Sequence, residues 1–316
     1  MLKVTPARRG GSAHWIVEHD PQNPPDVFFD TNVWIGMNRQ DVAHLKRLES
    51  QHGFLFRYSV TNYCEIVSHL EDQPSKSTAE PFIKYRQCLR KITKVCHREV
   101  LPAPEMEFLE AAGLLSHLNP VWIPNILQTA LAIEIISAAD NLAEVRGDTP
   151  SRLPPGLPRY VIKPTHYRTL RDTDGDSFRK IMTLLSDIQP PIRGSDKDQM
   201  TTLGRWFLTL ANFFFLERTS LKRVSFLQLS ENERDRFLAG FATGAGRLFH
   251  THCVNIVKKT INDGRNVEPN DLYDAMQLLS LRDENRLFVT DDRFFYQYEV
   301  SPEIQRVIPW TAFKSS

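Results

Sequence analysis

The chain has 316 residues, a mass of 36.5 kDa and a formal net charge of +1, with 41% hydrophobic and 24% charged residues. That composition excludes a disordered chain and a globally basic nucleic-acid binder, while leaving room for a local basic face. The four cysteines, Cys64, Cys88, Cys96 and Cys253, form no CxxC pair, which argues against a zinc ribbon or a disulfide framework and for a reducing compartment.

Residues 1–25 show no apolar leader and read as an N-terminal extension. DVFF (26–29) reads as a short buried strand ending at Asp30. Helical apolar spacing follows from Val42 to His52, with Gly53 as its C-cap. FLFRYSV (54–60) reads as a second strand, and Thr61 is placed to cap a helix that carries Glu65. Strand, helix, strand, helix is the opening of a parallel α/β sheet.

From about 73 to 261 the pattern is helical almost throughout, over 80–98, 105–116, 123–145, 177–188, 197–220 and 231–261. TPSRLPPGLP (149–158) reads as a linker or strap and 188–200 as a loop. The apolar run WFLTLANFFFL (206–216) is too short to span a membrane and reads as a buried helix. Strand and helix then alternate again: a helix capped by Asn270 and running to about 282, a strand RLFVT (286–290) stopping at Asp291-Asp292, a short helix at Phe294-Phe295, and a last strand over 305–310. The expectation is an α/β fold, a parallel sheet flanked by helices, built from 26–72 and 262–316 and interrupted by a mostly α-helical insertion over 73–261.

Four acids occupy matching positions in this plan. Asp30 ends the first strand, Glu65 lies early in the helix after the second, Asp274 lies early in a late helix one turn after Asp271, and Asp292 follows the strand at 286–290 beside Asp291. Ligands of open parallel sheets bind beyond the carboxyl ends of the strands. Carboxylates converging there repel one another unless a hard divalent cation holds them. Two such ions about 4 Å apart can activate water and stabilise the leaving oxygen of a phosphodiester. Each acid alone has a plainer reading as a turn residue or helix cap.

DVFFDTN (26–32), the helix bearing Glu65, NDLYDAMQLL (270–279) and LFVTDDRFF (287–295) resemble the motifs of PIN-domain nucleases. The resemblance covers 26–72 and 262–312; the small PIN fold has much less between its second and third acids. It implies a PIN-like fold and a metal-dependent endoribonuclease whose catalytic, metal-binding acids are Asp30, Glu65, Asp274 and Asp292, with Mg²⁺ or Mn²⁺ as cofactor. Asn32, Thr290, Asp271 and Asp291 would support them from a second shell. RNA is the substrate the resemblance favours, with DNA as the other nucleic acid. A toxin-like or defence setting would call for an inhibitory protein partner; RNA processing is the other setting.

FIKYRQCLRKITKVCHR (82–98) contains no acid, and Lys84, Arg90, Lys91, Lys94 and Arg98 gather on the side opposite its apolar face, which suits a phosphate backbone as well as it suits plain solvent. A second basic group, Arg159, Lys163, His166, Arg168 and Arg171, has Tyr160 and Tyr167 interleaved, residues that stack on bases or pack on protein. DTDGDS (172–177) fails as a calcium loop, since its Gly is misplaced and no Glu stands at the twelfth position; a turn and helix cap is the expected role. His250 and Cys253 make no closed zinc site. GFATGAG (240–246) lacks the Lys of a P-loop, and Gly240 and Gly244 are expected to permit close helix packing. A haloacid-dehalogenase-type phosphotransferase would need an Asp where Asn32 stands. The remaining rivals are a catalytically silent PIN-like scaffold binding nucleic acid or protein, and a PIN-like DNase. A cytoplasmic protein without a membrane segment is expected.

Overall fold

A computed structural model describes residues 2–9, 12–76, 78–97, 99–114, 124–146, 153–155, 157–188, 228–268, 270–292, 295 and 303–314. It divides into two compact units, one of residues 1–103, 123–169 and 283–316, the other of 104–122 and 170–282.

The first unit holds an α/β fold with a five-stranded parallel sheet. Its strands are β3 (Asp26–Phe29), β4 (Leu55–Ser59), β5 (Val100–Leu101), β6 (Arg286–Thr290) and β7 (Val307–Pro309), in the order β5-β4-β3-β6-β7. β3 and β6 are buried nearly end to end, as strands covered on both faces require. Successive residues point to opposite faces. Phe28 stacks on Phe288 at 4.8 Å, whereas Phe29 meets Trp34, Phe56, Trp310 and Phe313. The edge strands are short, two residues in β5 and three in β7.

Two sequence expectations change here. The sheet takes an edge strand, Val100–Leu101, from within the stretch read as helical insertion. Residues 1–25 supply a hairpin, β1 (Lys3–Arg9) with β2 (Ser12–Glu18), which the extension gave no reason to expect.

The helices α1 (Thr31–Gly36) and α2 (Arg39–His52) follow β3. α2 opens with a reciprocal Asn38/Asp41 capping box and ends on Gly53 at φ +72, the left-handed C-cap expected of that glycine. α3 (Val60–Ser68) follows β4 directly. Its N-cap is Ser59, two residues earlier than the expected Thr61, because Ser59 and Asn62 satisfy each other's backbone N–H groups.

α4 (Pro81–Cys96) buries Tyr85, Cys88, Leu89, Ile92 and Cys96, the face predicted for it. Two of its arginines bind protein. Arg86 donates to the carbonyl of Ala139, and Arg90 Nε to that of Ser137 at 2.7 Å. Both carbonyls lie at the C-terminal end of α6 (Ile126–Ala138), where unpaired C=O groups accumulate and cations are favoured. The expected helix over 123–145 is two helices, α6 and α7 (Leu142–Arg146), parted at Ala139–Asn141. Further on, Tyr63 and Tyr167 both donate to the carbonyl of Val161, tying the 3₁₀ turn Arg159–Ile162 to α3.

The second unit is helical. It contains α5 (Pro104–Ala111), the later part of α8 (Pro164–Ile188), α9 (Glu231–Gly240), α10 (Gly244–Asp263) and α11 (Asn270–Gln277), which runs into a 3₁₀ turn, Leu278–Arg282. α8 begins well before the expected 177 and runs straight through DTDGDS, which is helix interior instead of a turn. The helix expected over 231–261 breaks at Phe241–Thr243, where Thr243 is extended and the following Gly244 takes φ +55. Phe108, Phe237, Phe241 and Phe249 form an aromatic cluster. The tight glycine contact is between Gly240 and Gly246: a Cβ on Gly246 would lie 1.8 Å from the Gly240 carbonyl oxygen. The helix expected over 197–220 lies outside the described residues. No helix among the described residues is long and apolar enough to cross a membrane. α12 (Trp310–Phe313), which follows β7, closes the first unit.

Candidate active site

The order β5-β4-β3-β6-β7 means that the chain leaves β3 toward β4 on one side and leaves β6 toward β7 on the other. The strand order therefore reverses between β3 and β6. At such a switch point the connections diverge and leave a crevice beyond the carboxyl ends of the two strands. Asp30 stands at that end of β3, and Thr290 at that end of β6.

Asp30 is 2% exposed and is the N-cap residue of α1. Its carbonyl accepts from Val33 and Trp34, and its N–H donates to Val289 on β6. Its side chain makes no capping hydrogen bond to α1, so the plain reading of this acid as a helix cap does not describe it. Instead Oδ2 accepts from the Thr290 hydroxyl at 2.9 Å. The same Thr290 oxygen accepts from the backbone N–H of Asp292 at 3.0 Å. One buried hydroxyl thus joins the first acid to the turn carrying the last. Thr290 thus holds the Asp30 carboxylate.

The turn bearing Asp30 is held from behind by Asn62 of α3, a buried residue that sequence reasoning did not single out. Its Nδ2 donates to the Phe29 carbonyl at 3.1 Å and to the Thr31 hydroxyl at 3.0 Å. The signal that could have found it is Ser59-x-x-Asn62, a capping-box spacing at the start of the helix that carries Glu65.

Glu65 is half-buried on α3, one turn after Asn62. Its charge is felt by Cys88 of α4. Burial pushes that thiol up to about 12, with Lys91 pulling it down and Glu65 pushing it further up. Asn32 is exposed at the start of α1, Asp291 is exposed, and Asp292 is half-buried.

Asp271 and Asp274 belong to the second unit, on α11. Asp271 is engaged there: Arg265 grips both its oxygens, at 2.6 and 3.1 Å, and the Glu268 N–H donates to it at 2.8 Å. A carboxylate so occupied closes the loop before α11. Asp274, one turn on, is half-buried. Nearby in the sequence, the Tyr273 hydroxyl donates to buried Asp174 of α8 at 2.8 Å.

Of the basic residues expected to face nucleic acid, Lys91 turns inward. Its Nζ lies 3.0, 3.2 and 2.6 Å from the carbonyls of Trp34, Ile35 and Met37, at the C-terminal end of α1. Lys84 donates to the Thr78 hydroxyl at 2.9 Å, while Arg90 and Lys94 are exposed. Arg98 lies outside the described residues. In the second basic group Tyr167 is buried, in edge contact with Tyr63, and Arg168 donates to Asp72 at 3.1 Å.

Among the described residues no three His, Cys, Asp or Glu side chains group closely enough to cage a metal ion. Mg²⁺ is commonly held otherwise, by one or two carboxylates with water and substrate phosphate completing its shell. Asp30, its Oδ2 oriented by Thr290 and with Asp292 one hydrogen bond further on, is a hard oxygen donor set that fits this mode of binding.

Comparison of the chain with protein-family models, with curated proteins and with solved structures found no match.

Proposed function

We propose that the chain is a metal-dependent nuclease of the PIN-like kind, acting on RNA. The observation that carries this reading is the Asp30–Thr290–Asp292 linkage at the switch point of the parallel sheet. An acid at the end of one central strand and a T-x-D at the end of its neighbour are two of the four features by which the sequence resembles that family.

In this reading Asp30 and Asp292 would hold Mg²⁺ or Mn²⁺ and Glu65 would complete the acidic set of the first unit; Asp274 is the further ligand that the family resemblance assigns. When bound, the ion supplies Lewis-acid activation of water and charge stabilisation of the phosphodiester. The chain's own residues do the positioning. Thr290 keeps one Asp30 oxygen turned toward itself, and burial of Asp30 beneath the turn limits the water that competes for it. Arg90 and Lys94, exposed on α4, offer charge to a phosphate backbone. A toxin-like or defence role, restrained by an inhibitory protein, and RNA processing are the two settings this activity suits.

The test is incubation of purified protein with total cellular RNA and with single-stranded DNA, in Mg²⁺ or Mn²⁺ and in EDTA, beside Asp30→Asn. Products that vanish with EDTA and with the variant support the reading. Cleavage of DNA alone would reassign the substrate. Nucleic-acid binding with no cleavage in either metal would favour the silent scaffold.

A further inference from the structure

We infer that Asn62 is a positioning residue for the metal-binding carboxylate of Asp30. This rests on the nuclease reading. Asn62 is 0% exposed and uses every hydrogen-bonding group of its amide. Oδ1 accepts from the N–H of Ser59 at 2.9 Å and from its hydroxyl at 3.1 Å. Nδ2 donates to the Phe29 carbonyl and the Thr31 hydroxyl. The orientation of the amide is dictated by its backbone partners, since an N–H faces the oxygen and a C=O faces the nitrogen.

The two halves of this amide do different work. The oxygen closes the cap of α3, which is local. The nitrogen reaches across to the residues immediately before and after Asp30. Those bonds straddle the acid and fix the turn from which its side chain leaves. The backbone of Asp30 is also anchored to β6 through Val289, and its carboxylate to Thr290. Asn62 thus holds the turn from α3, while β6 holds it through Val289 and Thr290. Because Glu65 follows one turn later on the same helix face, the same side chain sets the start of that helix against the Asp30 turn.

The amide's division of labour gives a selective test. Asn62→Asp keeps the acceptor facing Ser59, and with it the capping box, while replacing the donor toward Phe29 and Thr31. It adds negative charge, which by itself would strengthen cation binding, so weaker binding would not be an effect of charge. Ser59→Ala weakens the cap and leaves the donor untouched. Thr31→Val removes one of the two straddling bonds and serves if Asn62→Asp does not fold.

Mn²⁺ affinity, read from the electron paramagnetic resonance signal of the free ion, is measured for the full chain and each variant, alongside amide hydrogen exchange at residues 30–34. The expected result is affinity weakened about tenfold or more in Asn62→Asp, as loss of a supporting hydrogen bond to a metal ligand typically causes, with a smaller loss in Thr31→Val and none in Ser59→Ala. Unchanged affinity in both Asn62→Asp and Thr31→Val overturns the inference, as does an equal loss in Ser59→Ala. If the parent chain binds no Mn²⁺, the nuclease reading falls, and hydrogen exchange decides the positioning role. Faster exchange at 30–34 in Asn62→Asp but not in Ser59→Ala upholds it; equal exchange overturns it.

Discussion

The hydroxyl of Thr290 donates to the carboxylate of Asp30 across 2.9 Å, between residues 260 apart in the chain. This bond couples two adjacent parallel strands at their carboxyl ends, where the connections on either side diverge. Because Thr290 also accepts from the Asp292 N–H, its loss would remove one hydrogen bond from each of these two residues at once.

Thr290→Val keeps the shape of the side chain and removes the hydroxyl. On the nuclease reading, cleavage is expected to fall about 10–100-fold, the usual cost of removing a group that orients a metal ligand. Stability should fall by about 1–2 kcal/mol, because the Asp292 N–H and an Asp30 oxygen lose a partner. Urea unfolding beside single-turnover cleavage separates the two effects. A variant that cleaves as the parent does would remove Thr290 from the site.

Lys91→Met retains the length of the side chain and deletes its ammonium. Three carbonyls at the end of α1 lose their donor, so the chain should be destabilised by about 1–3 kcal/mol. The salt dependence of nucleic-acid binding should not change, since this charge faces protein. Lys94→Met should do the reverse, sparing stability and lowering the salt slope by about one phosphate contact.

Asp271 and Asp274 should separate in the same way. Asp271→Asn weakens the grip of Arg265 and should cost about 1–3 kcal/mol, discounted because the arginine is partly exposed. Asp274→Asn, on the nuclease reading, should abolish cleavage. Thermal unfolding and cleavage of both variants test this, and loss of activity at unchanged stability in Asp271→Asn would reverse the assignment.

His252 gives the second unit a dependence on acid. Burial holds its imidazole neutral, down to about 3, and Arg265 and Lys259 add to the effect. In the unfolded chain it takes up a proton near 6.5. Between those values the unfolded state binds more protons, so this residue makes stability fall as pH drops from about 6.5 toward 3 and does nothing above that window. Urea midpoints at pH 5 and 7.5 should lie closer together in His252→Gln than in the parent; an equal gap would exclude His252 as a source.

Two glycines predict opposite outcomes. Gly246→Ala puts a methyl group 1.8 Å from a backbone oxygen of Gly240 and should destabilise the second unit by more than about 3 kcal/mol, or prevent its folding. Gly36→Ala meets nothing within 4 Å and should be neutral or stabilising by up to about 1 kcal/mol. Expression level and thermal melting distinguish them.

Much of the sheet was legible because its strands are uninterrupted apolar runs that stop at acids, as at Phe29-Asp30 and Val289-Thr290. Gly53 was legible for a similar reason, since a left-handed cap has few alternatives. β5 was not, because two residues carry no period. The inward turn of Lys91 was hidden because a long side chain on the rim of an amphipathic helix can reach either solvent or a neighbouring helix end. Asn62 was missed for a subtler reason. Half of its bonding is local and written in Ser59-x-x-Asn62, but the half that touches the Asp30 turn exists only once β3 and α3 are side by side. The run through DTDGDS shows context overriding the breaking tendency of Asp and Gly, within a 25-residue helix.

The place of β3 between β4 and β6 also sets a timetable for synthesis. β4 leaves the ribosome soon after β3, but the strand that covers its other edge is made some 260 residues later. At typical translation rates that interval is roughly 13–50 s. Throughout it, Asp30 lacks the hydroxyl that orients it and β3 has an open edge. A nascent or prematurely terminated chain therefore carries the first acid without its partner until the last strands of the sheet are in place.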